Sequence, residues 1–354
     1  MAGIGRRADI DGLRGIAIVL TIILHYITRG GHVPVYYLPT PLFNLFDSFW
    51  FGVDIFFVLS GFLIGGIILD NKSTGNFFKV FYLRRALRIL PVALFTILFA
   101  YLVMPAIGVS FPHENQVPAP AYFLFINNYW TASGVRTYPP LGPMWSLAIE
   151  EQFYLVAPLI MLMMGRYYLI TALSFILLAS PWIRLSSNWL SVWDFTLYRL
   201  DGLSAGILVA MMLRNQQFIA YAKANRQNMR AFVLLIVASM LLFHMSSEFT
   251  LSQRVAFGVS LNSLAAAGII LYLSTSADSR MSAFLSHSWL VKLGHWSFFL
   301  YLMHMPILIC VRATKMPSPL IPTVSMAICL MCAWLSWRYF ESPLIGLGRQ
   351  KNYK

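Results

Sequence analysis

Arg14 and His25 stand eleven residues apart in the apolar run DGLRGIAIVLTIILHY, Asp11 to Tyr26. Eleven helical steps end about 20° past three full turns, so a helix puts both on one face, roughly 16 Å apart along its axis. A guanidinium matches phosphate oxygens, and an imidazole exchanges protons near neutral pH. A polar stripe of this length is costly inside lipid and marks a functional site. Three more ionisable groups lie in comparable runs: Asp54 in FDSFWFGVDIFFVLSGFLIGGIIL, Glu150 beside Glu151 in GPMWSLAIEEQFYLVAPLI, and His304 in WLVKLGHWSFFLYLMHMPILIC. A carboxylate next to a histidine fixes its tautomer and raises its basicity, as a general base requires. Each residue also has a structural reading. His25 can be a satisfied core histidine, and Asp54 can orient a neighbouring helix. Glu150 can bond Tyr154 one turn on, and His304 precedes Met305-Pro306, where a helix loses a backbone bond.

A second constellation is FYLRRALRILP, where Arg84 and Arg85 each lie one helical turn from Arg88. It reads either as a basic anchor at the cytoplasmic membrane face or, with Arg14, as a phosphate site. In YRLDGLSAG, Arg199 and Asp201 are two residues apart and cannot face each other on a helix, so each needs a partner elsewhere. In RYFESPL, Arg338 and Glu341 have the spacing of a structural ion pair.

The elements that must hold these groups are membrane helices. Of 354 residues 58% are hydrophobic and 11% charged, against roughly a quarter charged in soluble domains. The expected fold is all-α, a polytopic bundle forming one domain over 1–354. With about 20 apolar residues per span, ten spans are expected, near 12–29, 47–69, 86–104, 143–164, 167–184, 196–213, 231–245, 255–275, 289–311 and 320–341. Arg6 and Arg7 precede the first run, but no small-residue cleavage site follows, so it reads as a retained span and not a signal peptide. The net charge of +13 sits in short segments between apolar runs, a membrane pattern that argues against nucleic acid. Cys310, Cys329 and Cys332 all lie in apolar segments, with no disulfide framework and no metal-ligand spacing.

An N-terminus inside leaves Arg29, Arg136, Arg184, Arg254, Arg312 and Lys315 outside, while most other Lys and Arg fall inside. Both termini are therefore expected in the cytoplasm. Arg14 then stands at the cytoplasmic edge. His25, Asp54, Glu150 and His304 converge in the outer part of the membrane, the two carboxylates about 10 Å below the surface. The longest connection, 105–142, is expected outside, as an ordered lid or binding loop. Asn127 and Asn128 in it, with His304, are assigned to the acceptor side.

Together these stretches resemble the acyltransferase 3 family of integral-membrane O-acyltransferases. The resemblance rests on DGLRGIAIVLTIILHY with Arg14 and His25, FFVLSGFLI, RRALR with Arg85 and Arg88, WSLAIEEQFYL with Glu150, and YLMHMPI with YFESPL, in the usual order over nearly the whole chain. It implies about ten core helices and an acyl-CoA co-substrate, acetyl-CoA by default, with no permanently bound cofactor. The expected acceptor is a hydroxyl of a cell-surface glycan or glycoside. Arg14, Arg84, Arg85 and Arg88 would hold the donor phosphates, and His25 would be the general base, oriented by Glu150 with Asp54. The pantetheine arm would thread from Arg14 to His25, so that only the acyl group changes sides. The expected location is a bacterial cytoplasmic membrane. Some members carry a fused SGNH domain. This sequence ends at GLGRQKNYK, so it is expected to act alone or with a separate periplasmic partner. The competing reading, a proton-coupled secondary transporter, calls for broken helices in two repeated halves, and no such repeat is found.

Overall fold

The structure, a computed structural model, describes residues 7–28, 39–112, 114–187, 193–246 and 248–354. Arg6 and Arg29, two of the charges that set the expected orientation, lie outside the described residues. The chain is an all-α bundle, and among the described residues there is no strand beyond one isolated bridge, Gln116 with Arg136.

Eleven helices matter for the site: α1 (Ala8–Ile23), α2 (Phe51–Asn71), α3 (Phe77–Leu98), α4 (Met144–Met163), α5 (Arg166–Leu185), α6 (Leu200–Met212), α7 (Arg226–Met245), α8 (Leu251–Thr275), α9 (Ser288–Ala313), α10 (Ile321–Ser336) and α11 (Ser342–Arg349). Among the described residues eight helices are long and apolar enough to cross a membrane. A ninth arises if the bent pair Thr196–Met212 and Gln216–Ala224 counts as one span. The chain is an integral membrane protein. The expected ten exceeds this count by the first helix. Its α part has 16 residues and continues as a π-helix, Leu24–Thr28, and it carries Asp9, Asp11 and Arg14.

Helix α2 is the hub. In its spanning stretch 78% of residues are buried, against 17% for α7 at the periphery. It packs on α6, α1, α8 and α4, while α1 lies along α9. Two crossings are backbone to backbone. A Cβ on Gly206 of α6 would meet the Val58 carbonyl oxygen of α2 at 2.1 Å, and one on Gly294 of α9 would meet the Asp11 carbonyl oxygen of α1 at 1.8 Å. Only glycine allows these approaches, a common way for membrane helices to gain contact where lipid offers no hydrophobic drive. Helix α8 starts at a capping box in which the Thr250 hydroxyl accepts from the Gln253 amide.

The 105–142 segment is folded. It holds short helices Ala119–Phe123 and Asn127–Ala132 and a turn at Pro139–Leu141. Buried Tyr122 accepts from the Tyr138 amide at 3.0 Å, and Tyr138 stacks on Tyr101 with ring centroids 4.7 Å apart. Its aromatics thus bind the segment to the bundle.

Candidate active site

Two adjoining cavities bring Arg14 and Glu150 together with Arg85 and Arg88. The outer one, about 170 Å³, is lined by Arg14, Arg88, His295, Trp337 and Arg349. The inner one, about 60 Å³, is lined by Arg14, Arg85, Arg88, Glu150, Ser146 and Tyr301. They share Arg14, Arg88, Ser297 and Phe298. Helix α1 supplies Arg14, α3 supplies Arg85 and Arg88, α4 supplies Ser146 and Glu150, and α9 supplies Ser297 and Tyr301.

Arg14, Arg85 and Arg88 make no hydrogen bond or ion pair to protein among the described residues, and Arg14 Nε is buried without a partner. The Arg85 guanidinium lies 5.6 Å from the Tyr154 ring centroid. Three cations with no protein acceptor, facing one cavity, form a site for an anion. Arg84 does not join them. It turns to the C-terminal tail, donating to the carbonyls of Gly348 at 3.3 Å and Lys351 at 2.5 Å and lying over the Tyr353 ring. Adjacent residues on a helix are about 100° apart, so Arg84 cannot share the face of Arg85. Its expected phosphate role is replaced by a clamp on the tail.

Beyond the inner cavity the two histidines meet, with ring centroids of His25 and His304 4.9 Å apart. His25 lies in the π-helical end of α1, a conformation frequent at functional sites. Its Nδ1 is 2.8 Å from the Thr21 carbonyl oxygen. A carbonyl only accepts, so in the neutral ring Nδ1 carries the proton and Nε2 holds the basic lone pair. His304 is fully buried, and its Nδ1 faces the carbonyls of Leu300 at 3.1 Å and Tyr301 at 2.7 Å. Its Nε2 is buried with no partner among the described residues. The Tyr26 hydroxyl donates to the His304 carbonyl at 3.0 Å and ties α1 to α9 here.

The two carboxylates expected to orient the histidine are held elsewhere. Glu150 accepts from the Ser60 hydroxyl at 2.7 Å and from Tyr154 one turn on. Asp54 pairs with Arg199 at 2.5 Å and accepts from Asn262 at 2.8 Å. Asn262 in turn accepts from His244 at 3.0 Å. Glu150 stands at the cation end of the site, lining the inner cavity with Arg14, Arg85 and Arg88, and Asp54 is taken up by Arg199 and Asn262, so both acids are engaged away from the histidines. Arg199 and Asp201 do find partners elsewhere, Asp201 pairing with Arg184 at 2.8 Å. Glu341 accepts from Ser336 at 2.9 Å and not from Arg338, because the π-helix Trp337–Glu341 spoils the one-turn spacing. Asn127 and Asn128 are buried. Asn128 donates to Thr196 at 2.9 Å and accepts from Gln152 at 2.8 Å, so its amide braces the 105–142 segment. Sequence reasoning missed Ser146, Tyr301, His295 and Trp337. Tyr301 falls one turn before His304, the signal that could have found it.

A family model described as an acyltransferase domain matches residues 7–338. The chain belongs to the acyltransferase 3 family. It is 26% identical to the peptidoglycan O-acetyltransferase OatA of Listeria monocytogenes over 386 residues, covering 98% of this chain and 58% of that protein. It is 25% identical to the O-acetyltransferase OatA of Staphylococcus aureus, covering 98% of this chain and 57% of that protein. A putative peptidoglycan O-acetyltransferase of Bacillus subtilis, YrhL, is 32% identical over 45% of this chain and 24% of its own length. The chain thus spans little more than half of the OatA relatives. No solved structure matches it.

Proposed function

We propose that this protein is a membrane O-acetyltransferase that moves an acetyl group from acetyl-CoA on the cytoplasmic side to a hydroxyl of a cell-wall glycan outside the bacterial cytoplasmic membrane. The observation that carries the reading is the row of three unpaired guanidiniums, Arg14, Arg85 and Arg88, in cavities that continue to Tyr301 just below the histidine pair. Phosphates bind the cations as charge-assisted hydrogen bonds. The pantetheine arm follows α1 towards Tyr301, and the thioester reaches the histidines. The names of both OatA relatives support acetyl as the group, and that of the Listeria protein supports peptidoglycan as the acceptor class.

In this reading His25 Nε2 takes the proton of the acceptor hydroxyl as its oxygen attacks the thioester carbonyl. The tetrahedral intermediate expels the CoA thiolate, which recovers that proton, and the acetyl ester is released on the glycan. The Thr21 carbonyl holds the His25 tautomer, the work expected of Glu150. The unpartnered His304 Nε2 places a lone pair beside the ring that becomes positive. The hydroxyls of Ser146 and Tyr301, 2.5 Å apart, stand where the carbonyl oxygen gains charge and can donate to it. The 105–142 segment would roof the acceptor entrance.

The test uses the full chain in oriented proteoliposomes, with labelled acetyl-CoA on the cytoplasmic face and peptidoglycan fragments on the other. Acetyl ester on the fragments, lost in His25→Ala at equal protein level, is the expected result. Transfer that survives His25→Ala removes the base. No transfer from acetyl-CoA in either orientation by folded protein removes the donor.

A further inference from the structure

We propose that the outer cavity recognises the nucleotide end of the donor, with the stacked rings of Trp337 and His295 as a shelf for the purine base and Arg349 among the phosphate ligands. The inference rests on the donor reading above and gives it an address at the cavity mouth.

The two rings lie 5.1 Å apart between centroids and 19° from parallel, and both line the outer cavity. Trp337 opens the π-helix Trp337–Glu341, and His295 is held by Asp11 at 3.3 Å from its Nε2. The same cavity carries four arginines. Arg7 is engaged by Asp9 and by the Leu273 carbonyl. Arg14, Arg88 and Arg349 donate to no protein acceptor among the described residues. Of the two acids on the wall, Glu341 already accepts from Ser336, and Asp11 faces His295. The wall therefore joins a flat aromatic stack to a surplus of cations.

Free phosphate or a lipid headgroup uses the cations and has no need of the stack. A purine nucleotide uses both, because every base has a π-face that stacks on aromatic side chains. The order of groups also fits. The shelf lies in the outer cavity, Arg14 and Arg88 stand where the cavities join, and Tyr301 lines the inner one. Base, phosphates and acyl-bearing tail follow the same order along CoA. About 170 Å³ is too small to enclose a nucleotide, so the base rests at the rim beside Ile345 and Arg349 of α11. The Arg84 clamp on the Gly348 and Lys351 carbonyls keeps that rim in place.

The experiment is calorimetric binding to the full chain in nanodiscs, using CoA, 3′,5′-ADP and 4′-phosphopantetheine. Wild-type protein is expected to bind 3′,5′-ADP in competition with CoA, and to bind 4′-phosphopantetheine roughly tenfold or more weakly than CoA. Trp337→Leu is expected to weaken CoA and 3′,5′-ADP by roughly tenfold and leave 4′-phosphopantetheine unchanged, while Trp337→Phe keeps the affinity. Equal affinity of wild type for CoA and 4′-phosphopantetheine overturns the shelf, and that comparison needs no variant to fold. A Trp337→Leu protein that binds CoA as wild type does overturns the shelf alone. Wild type that binds no CoA overturns the donor reading itself.

Discussion

Gly294→Ala tests whether the α1–α9 crossing sets the register between the cation row and the histidines. A Cβ at Gly294 would sit 1.8 Å from the Asp11 carbonyl oxygen, so the backbones must part by about 1.6 Å to reach the 3.4 Å of an ordinary contact. Backbone on both sides leaves no flexible side chain to absorb the strain. Overpacking of this kind costs about 1–3 kcal/mol. The same displacement moves Arg14, three residues from Asp11, and shifts the ring of His25 from that of His304. A misplacement of about 1 Å at reacting groups can cost on the order of 100-fold in rate. The assays are thermal melting in nanodiscs and acetyl transfer from acetyl-CoA. Gly294→Ala is expected to melt lower and to lose about 100-fold in transfer, more than its folded fraction explains. Gly346→Ala is the control, because nothing lies within 4 Å of its added Cβ, and it is expected to behave as wild type. Gly294→Ala with wild-type melting and transfer within a few-fold would refute the claim that this crossing positions the site.

Other substitutions separate binding, chemistry and support. Arg14→Ala and Arg88→Ala each remove hydrogen bonds to a charged ligand, worth about 1.5–3 kcal/mol, and should raise the KM for acetyl-CoA at least tenfold with little change in melting. Arg84→Ala should do the reverse, lowering the melting temperature and increasing proteolysis of the C-terminal tail, since its partners are tail carbonyls. Asp54→Ala leaves Arg199 buried without its counter-ion and should cost about 3–5 kcal/mol; adding Arg199→Met should recover part of that loss in the same melt. Burial pushes the Asp194 carboxyl up to about 6, above its ordinary 3.8, against the pull of Thr131 and Arg199. Its folded form prefers the proton, so its contribution to stability is largest at low pH and falls as pH rises from about 4 through 6. Asp194→Asn should flatten that part of the melting profile, and an unchanged profile would exclude this group.

Part of the site is legible in the sequence. Spacing along one helix puts Arg14 and His25 on a common stripe, and Arg14, Arg85 and Arg88 do line adjoining cavities. The first and ninth helices run in the same direction, which puts His25 and His304 at one depth, and their rings meet. The two-residue gap between Arg199 and Asp201 excludes a mutual pair, and each finds a partner on another helix. Other placements were not legible. Asp54 is taken up by Arg199, and Glu150 lines the cavity of the arginine row and accepts from Ser60 and Tyr154. Asn128 braces the chain from within. Trp337 and His295 lie 42 residues apart on different helices, and no periodicity connects them.

The sequence by itself determined the class of fold, the apolar helices, and which polar groups share a helical stripe, because those follow from hydropathy and from the fixed rise and turn of one helix. The tertiary structure alone decided which stripe faces which neighbour. That depends on how each helix is rotated and where it crosses the next, and here the crossings are set by backbone contacts such as Gly294 on Asp11 and Gly206 on Val58. Rotation about the axis costs a lone helix nothing in lipid, so only packing against other helices fixes it. That packing gave His25 a second histidine as neighbour and left its Nδ1 to a carbonyl of its own helix, Thr21, while the expected carboxylates went to other partners.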